Sequence, residues 1–177
     1  AFLGVGSYLT GIAMVHLGWH WLPALGAGVV AASVAGLLIG WLAIRTRGIY
    51  FSMVTLALAQ IVYYAFYKAE RWTGGENGLR GIQVPAIEIG PWTLDFVNPV
   101  TKYYVILVFV AAALWFVSRL LASPFGSVIE AVRENERRAS ACGYDVARTK
   151  LLVFVISAGI CGLAGAPRAL HLSVVPI

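Results

Sequence analysis

Apolar residues fall along this chain in five long blocks: Ala1 to Leu17, Leu22 to Ile44, Ile49 to Tyr67, Tyr103 to Leu121, and Leu151 to about Leu172. A helix that crosses a membrane needs about 20 mostly apolar residues. Four blocks approach that length, and the first reads as one cut at its front. No water reaches the hydrocarbon layer, so a backbone there must satisfy its own hydrogen bonds, as a helix does. The blocks predict an all-α fold, a polytopic transmembrane helix bundle with about five membrane helices. The connections differ in character. Gly18–Trp21 is short and aromatic, and Arg45–Gly48 is short and basic. Lys68 to Lys102 is long and rich in Gly and Pro, whereas Ala122 to Lys150 is long, charged and patterned as helix.

Composition agrees with a membrane protein. Of the 177 residues, 60% are hydrophobic and 12% charged, about half the charge usual in a soluble domain. Mean hydropathy is +0.81. Six Trp and eight Tyr suit the membrane–water interfaces. The net charge of +5 does not signal nucleic acid, because the basic residues flank apolar blocks as they do in cytoplasmic loops. Cys142 lies in a charged loop and Cys161 in an apolar block; neither the spacing of a metal site nor a disulfide framework is present. The opening AFLGVGSYLTG has no initiating Met and no basic leader region, and LHLSVVPI stops after an apolar run. Both ends read as cuts in a longer chain.

Lys and Arg orient the bundle, because positively charged loops tend to stay in the cytoplasm. One set of alternate loops holds Arg45, Arg47, Arg119, Arg133, Arg137, Arg138, Arg148 and Lys150; the other holds Lys68, Arg71, Arg80, Lys102 and Arg168. The larger set places the 122–150 loop inside and the 68–102 loop outside. The second block carries small residues every four positions: Ala24, Gly28, Ala32, Gly36 and Gly40. The fifth repeats this with Ala158, Gly162 and Ala166. Residues four apart share a helix face, and small ones let backbones approach. Gly28, Gly36, Gly40 and Gly162 are therefore candidate helix-packing positions.

Candidate chemistry is sparse. Ion-coupled carriers place ionisable residues within their helices, but all eight acids here lie in the two long loops. His16 sits near the end of its block, as an interfacial histidine would. A phosphate-binding GxxxxGK[ST] loop needs a Gly-Lys pair, and the chain has none. No HExxH, no GxSxG and no metal cluster occurs, so the sequence does not read as an enzyme, and no metal or cofactor is expected on this chain. The informative stretch is ASPFGSVIEAVRENERRASACGYDVARTK. Ser123 before Pro124 reads as a helix start with Ser as N-cap. Val128, Ile129 and Val132 can form one apolar side. Gly143 suits a helix end needing positive φ, and Asp145 can cap the next helix. A short helix, a tight turn and a second helix are expected on the cytoplasmic face.

The run from Ser123 through GYDVARTKLLVFVISAGICGLAGA resembles the cytoplasmic loop and following helix of branched-chain amino acid (LIV-type) ABC transporter permeases. Upstream, AFLGVGSYLTG, RTRGIYFSMVTLALAQI and TGGENGLRGI resemble the same family in the same order. The resemblance spans nearly the whole chain and is strongest to the M-type of the two permeases that such systems pair. It implies that residues 1–177 are part of an ABC-importer transmembrane permease domain with its coupling loop at about 122–150. It also implies that Arg133, Glu134, Asn135, Glu136, Ala139 and Gly143 contact an ATPase subunit. Glu136 and Gly143 are seven apart, one more than the general ABC-permease signature has. Pro167–Arg168 also departs from the family pattern.

By the same resemblance, the expected partners are ABC ATPase subunits carrying ATP and Mg, a second homologous permease subunit, an external substrate-binding protein and the lipid bilayer. The expected location is the bacterial-type inner membrane, and the expected cargo is branched-chain or other small apolar amino acids. Urea and short-chain amides are the cargo of related permeases and stay open. Candidate path-lining residues are Ser52, Thr55 and Gln60, with Thr73, Gly74, Gly75, Asn77 and Gly78 of the glycine-rich loop. The rival readings are an ion-driven carrier or channel, and a membrane scaffold without transport.

Overall fold

The computed structural model describes residues 1–46, 48–69, 79–80, 87–89, 92–94, 99–172 and 174–175. Their order is α1 (Phe2–Val15), α2 (Trp21–Ala43), α3 (Ile49–Lys68), β1 (Leu79–Arg80), β2 (Ile87–Ile89), β3 (Trp92–Leu94), α4 (Pro99–Leu121), α5 (Pro124–Glu134), α6 (Glu136–Ala141), α7 (Val146–Leu172) and β4 (Val174–Val175). The fold is an all-α polytopic bundle with a few two- and three-residue strands at its edge.

Four of these helices, α2, α3, α4 and α7, are long and apolar enough to cross a membrane. The expected fifth is shorter. α1 has 14 residues, or roughly 21 Å at 1.5 Å per residue. It stops at His16, and Gly18 then turns the chain with φ +62°. The fifth apolar block also gains a turn at its start. α7 begins at Val146, five residues before the apolar block, because Asp145 caps it: its Oδ1 accepts from Arg148 N at 3.0 Å. Pro167 lies inside α7, which continues through it. The 68–102 connection contains β1, β2 and β3 among its described residues, where only a loop is expected. β1 pairs antiparallel with β4, and β2 pairs with β3.

The core is a three-helix packing of α1, α2 and α7. Small residues cause it. α2 and α7 run antiparallel with a register that steps four residues at a time. Gly28 and Ala32 face Gly162, Gly36 faces Ala158, and Gly40 faces Phe154. A Cβ on Gly40 would sit 2.8 Å from Phe154 Cδ1, and one on Gly36 would collide with Ala158 Cβ. α1 enters the same seam at Gly6, where a Cβ would lie 2.7 Å from Gly162 Cα. Beside it Thr10 is fully buried, its hydroxyl donating to Gly6 O at 2.8 Å. Satisfying the hydroxyl inside its own helix makes a polar residue acceptable there. Phe154 lies edge-on to Phe2 and Phe51, with centroids 5.6 and 6.3 Å away.

α3 and α4 have no buried residue. α3 touches the core at both ends, through Phe51 against Phe154 and through Phe66, which stacks on Tyr8 at 5.4 Å. Their large apolar side chains, Leu56, Ile61, Val108 and Trp115 among them, are exposed. Such surface is stable against lipid or further protein, not against water.

Candidate functional site

The charged connection between α4 and α7 folds as a compact hairpin. α5 starts at Pro124 with Ser123 as its N-cap, but the Ser123 hydroxyl does not cap it. Ser123 Oγ donates instead to Leu120 O at 2.6 Å, closing the end of α4. The expected single helix then breaks at Asn135, whose backbone is extended (φ −156°, ψ 101°). Asn135 ends α5 and caps α6: its Oδ1 accepts from Arg137 N and Arg138 N, both at 3.1 Å. Asn offers the backbone an alternative partner and so competes with helix continuation. α6 ends in a Schellman turn. Gly143 N donates to Ser140 O at 3.0 Å and Tyr144 N to Ala139 O at 3.2 Å, with Gly143 at φ +88°. An L side chain at that φ is strained, so glycine is the residue that fits.

Two ion pairs close the hairpin. Lys150 Nζ meets Glu136 Oε1 at 2.6 Å, tying the start of α6 to the first turns of α7. Arg148 Nε meets Asp145 Oδ2 at 3.0 Å. Both are solvent-exposed, and such pairs contribute on the order of 0–1 kcal/mol each. They set geometry more than stability. Ala139 and Val132 are buried, seating α6 and α5 on the bundle. Arg133, Glu134, Glu136, Arg137, Arg138 and Gly143 are exposed, and Asn135 is half-buried. The hairpin therefore presents a charged outer face on an anchored base.

Between the hairpin and the α2–α3 turn lies an open cavity of about 670 Å³. Ile44, Thr46, Gly48 and Phe51 form one wall; Ile129, Val132, Arg133 and Glu136 form the second; Thr149, Lys150, Val153, Phe154 and Ser157 form the third. Gly48, at φ +61°, starts α3, and Thr46 Oγ1 donates to Ala43 O at 2.7 Å at the end of α2. The cavity brings the two connections assigned to the inner side into contact with one space.

Arg133, Glu134, Asn135, Glu136, Ala139 and Gly143 are thus gathered on one hairpin. The suggested path residues are not gathered. Ser52 and Gln60 are exposed on α3, and Thr55 is half-buried with its hydroxyl turned to Phe51 O and Ser52 O, at 3.0 and 2.9 Å. None of the three lines the cavity. Thr73, Gly74, Gly75, Asn77 and Gly78 lie outside the described residues. Gly28, Gly36, Gly40 and Gly162 stand in the α2–α7 seam. Sequence reasoning missed the capping role of Asn135 and the part played by Lys150. An Asx residue directly before a short charged run is a recognised helix-start signal. The Glu136–Lys150 pair, 14 residues apart, leaves no local signal. Among the described residues no group of His, Cys, Asp and Glu could hold a metal ion.

Residues 1–177 match the family described as branched-chain amino acid transport system / permease component. The chain is similar to the high-affinity branched-chain amino acid transport system permease protein LivM of Salmonella typhimurium (strain LT2), at 33% identity over 93% of this chain and 43% of that protein. The Escherichia coli (strain K12) protein of the same description gives the same three values. The probable branched-chain amino acid transport permease protein LivM of Methanocaldococcus jannaschii is 28% identical over 84% of this chain and 44% of its own length. The chain spans less than half the length of these curated relatives. No solved structure matches it significantly.

Proposed function

Because the chain belongs to the branched-chain amino acid transport permease family, we propose that it forms part of the permease subunit of an ATP-driven importer of branched-chain or other small apolar amino acids. It is a multi-pass membrane protein, and the membrane in question is the cytoplasmic one. The permease is not an enzyme. ATP and Mg are held by separate ATPase subunits, and a second permease subunit and an external binding protein complete the system.

One observation carries this reading on the structural side. The α5–α6 hairpin is a charged knob between two membrane-crossing helices, joined to α7 by Glu136–Lys150 and turned sharply at Gly143. A partner that pushes α6 moves the base of α7, and α7 lies in the glycine-lined seam with α1 and α2. Exposed Arg133, Glu134, Arg137 and Arg138 give that partner charges to pair with. Such charges favour specificity and encounter rate more than affinity.

The test is co-purification of the full-length protein with its ATPase. Wild type brings the ATPase down. Glu136→Arg sets a second positive charge against Lys150 and loses it; Gly143→Val strains the turn and loses it. Gly143→Asn, which tolerates positive φ, retains most of it. Wild type that recruits no ATPase, or leucine uptake at full rate without that subunit, would sink the proposal.

A further inference from the structure

The cavity beside the hairpin shares Arg133 and Glu136 with the docking face but adds an apolar lining that ATPase docking does not use. Phe51, Val153 and Phe154, on segments long and apolar enough to cross a membrane, give it an apolar wall. Its rim is charged, with Arg133 from α5 and the Glu136–Lys150 pair. Apolar side chains of two membrane-crossing helices thus meet charged side chains around one space, the combination that a lipid's acyl chain and headgroup present.

Charge narrows the occupant. Glu136 and Lys150 neutralise one another at 2.6 Å. Arg133 has no ion-pair partner among the described residues, so the rim presents one net positive charge. A phosphodiester carries one negative charge. A free anion would leave the apolar walls uncovered. A zwitterionic solute would need a free carboxylate for its ammonium, and Glu136 is already engaged. The volume of about 670 Å³ falls within the range of small-molecule sites.

We propose that this cavity binds an anionic phospholipid of the inner leaflet, its phosphodiester at Arg133 and an acyl chain along Phe51 and Phe154. Basic pockets between membrane helices on the cytoplasmic side recognise such headgroups. The assignment shares the inner-side orientation of the hairpin with the proposed function but needs no ATPase, so failure to recruit one leaves it standing.

The experiment is native mass spectrometry of the full-length protein in neutral detergent, titrated with phosphatidylglycerol or phosphatidylcholine. Wild type retains phosphatidylglycerol in preference. Arg133→Gln reduces that preference about fivefold, the effect of one interfacial cation. Ser157→Trp fills the apolar part without changing charge, and lowers the occupancy of both lipids. Equal retention of the two lipids by wild type overturns the proposal, as does an undiminished preference in Arg133→Gln or unchanged occupancy in Ser157→Trp. Displacement of the lipid by equimolar glycerol 3-phosphate or by leucine overturns it too, and identifies a soluble anion or solute as the occupant instead.

Discussion

Gly6, Gly28 and Gly162 come from three different helices and meet at one point. A Cβ on Gly28 would collide with Thr10 Oγ1 and lie 2.7 Å from Gly6 O; one on Gly162 would stand 3.3 Å from Gly28 O. Backbone stands at each approach, behind the Thr10 hydroxyl at Gly28 and Ala32 Cβ at Gly162, so a rotamer change alone does not relieve it. Gly6→Ala and Gly28→Ala should each destabilise the protein by about 1–3 kcal/mol, as overpacking does. Gly26 is the internal control, since nothing lies within 4 Å of its Cβ position. Gly26→Ala should leave stability unchanged or raise it slightly, because Ala outranks Gly in a helix. Thermal unfolding of the detergent-solubilised full-length protein reads all three, and equal melting temperatures would remove the packing argument. The α2 and α7 stripes are legible in the sequence because their spacing of four is strict. Gly6 is not, because the residue four after it is Thr10, which looks polar until its hydroxyl is found bonded to Gly6 O.

At the scale of elements, the hairpin divides along the same line of local against distant. Gly143 and Asp145 are readable because each acts within three residues of itself: one needs a positive φ, the other caps Arg148 N. The break at Asn135 is less readable, because the residues flanking it on both sides, Glu and Arg, are good helix formers. Asn135 wins by accepting two amide hydrogens that α6 would otherwise leave open. Asn135→Ala should therefore cost about 0.5–2 kcal/mol of local stability, the usual value of an N-cap. Hydrogen exchange should speed up at residues 137–141 and stay unchanged in α2. Asn135→Asp keeps the accepting oxygen and should restore protection; protection that survives Asn135→Ala would show that packing at Ala139 alone orders α6. α1 ends two residues before its apolar block does. Its apolar block runs past His16, but the turn at Gly18 ends the helix before composition does.

Across the whole molecule, topology follows from which connections meet. The α2–α3 turn and the α5–α6 hairpin share one cavity, whereas β1, after α3, pairs with β4, after α7. Chain ends on one side of the bundle thus stay together, as alternation of membrane-crossing helices requires. Basic residues choose which side is cytoplasmic, and loops rich in Lys and Arg remain there. The unburied α3 and α4 turn large apolar side chains outward, a surface that lipid or further protein covers. Cys142 makes the orientation measurable, because it is exposed on the hairpin while Cys161 is half-buried in α7. In full-length protein retaining Cys142 alone, a membrane-impermeant maleimide should label inside-out vesicles and spare intact cells. A Lys68→Cys variant lacking Cys142 should show the reverse. Labelling of Cys142 from outside would turn the bundle over, carry Arg133 and Glu136 away from any cytoplasmic ATPase, and undo the docking and lipid assignments together.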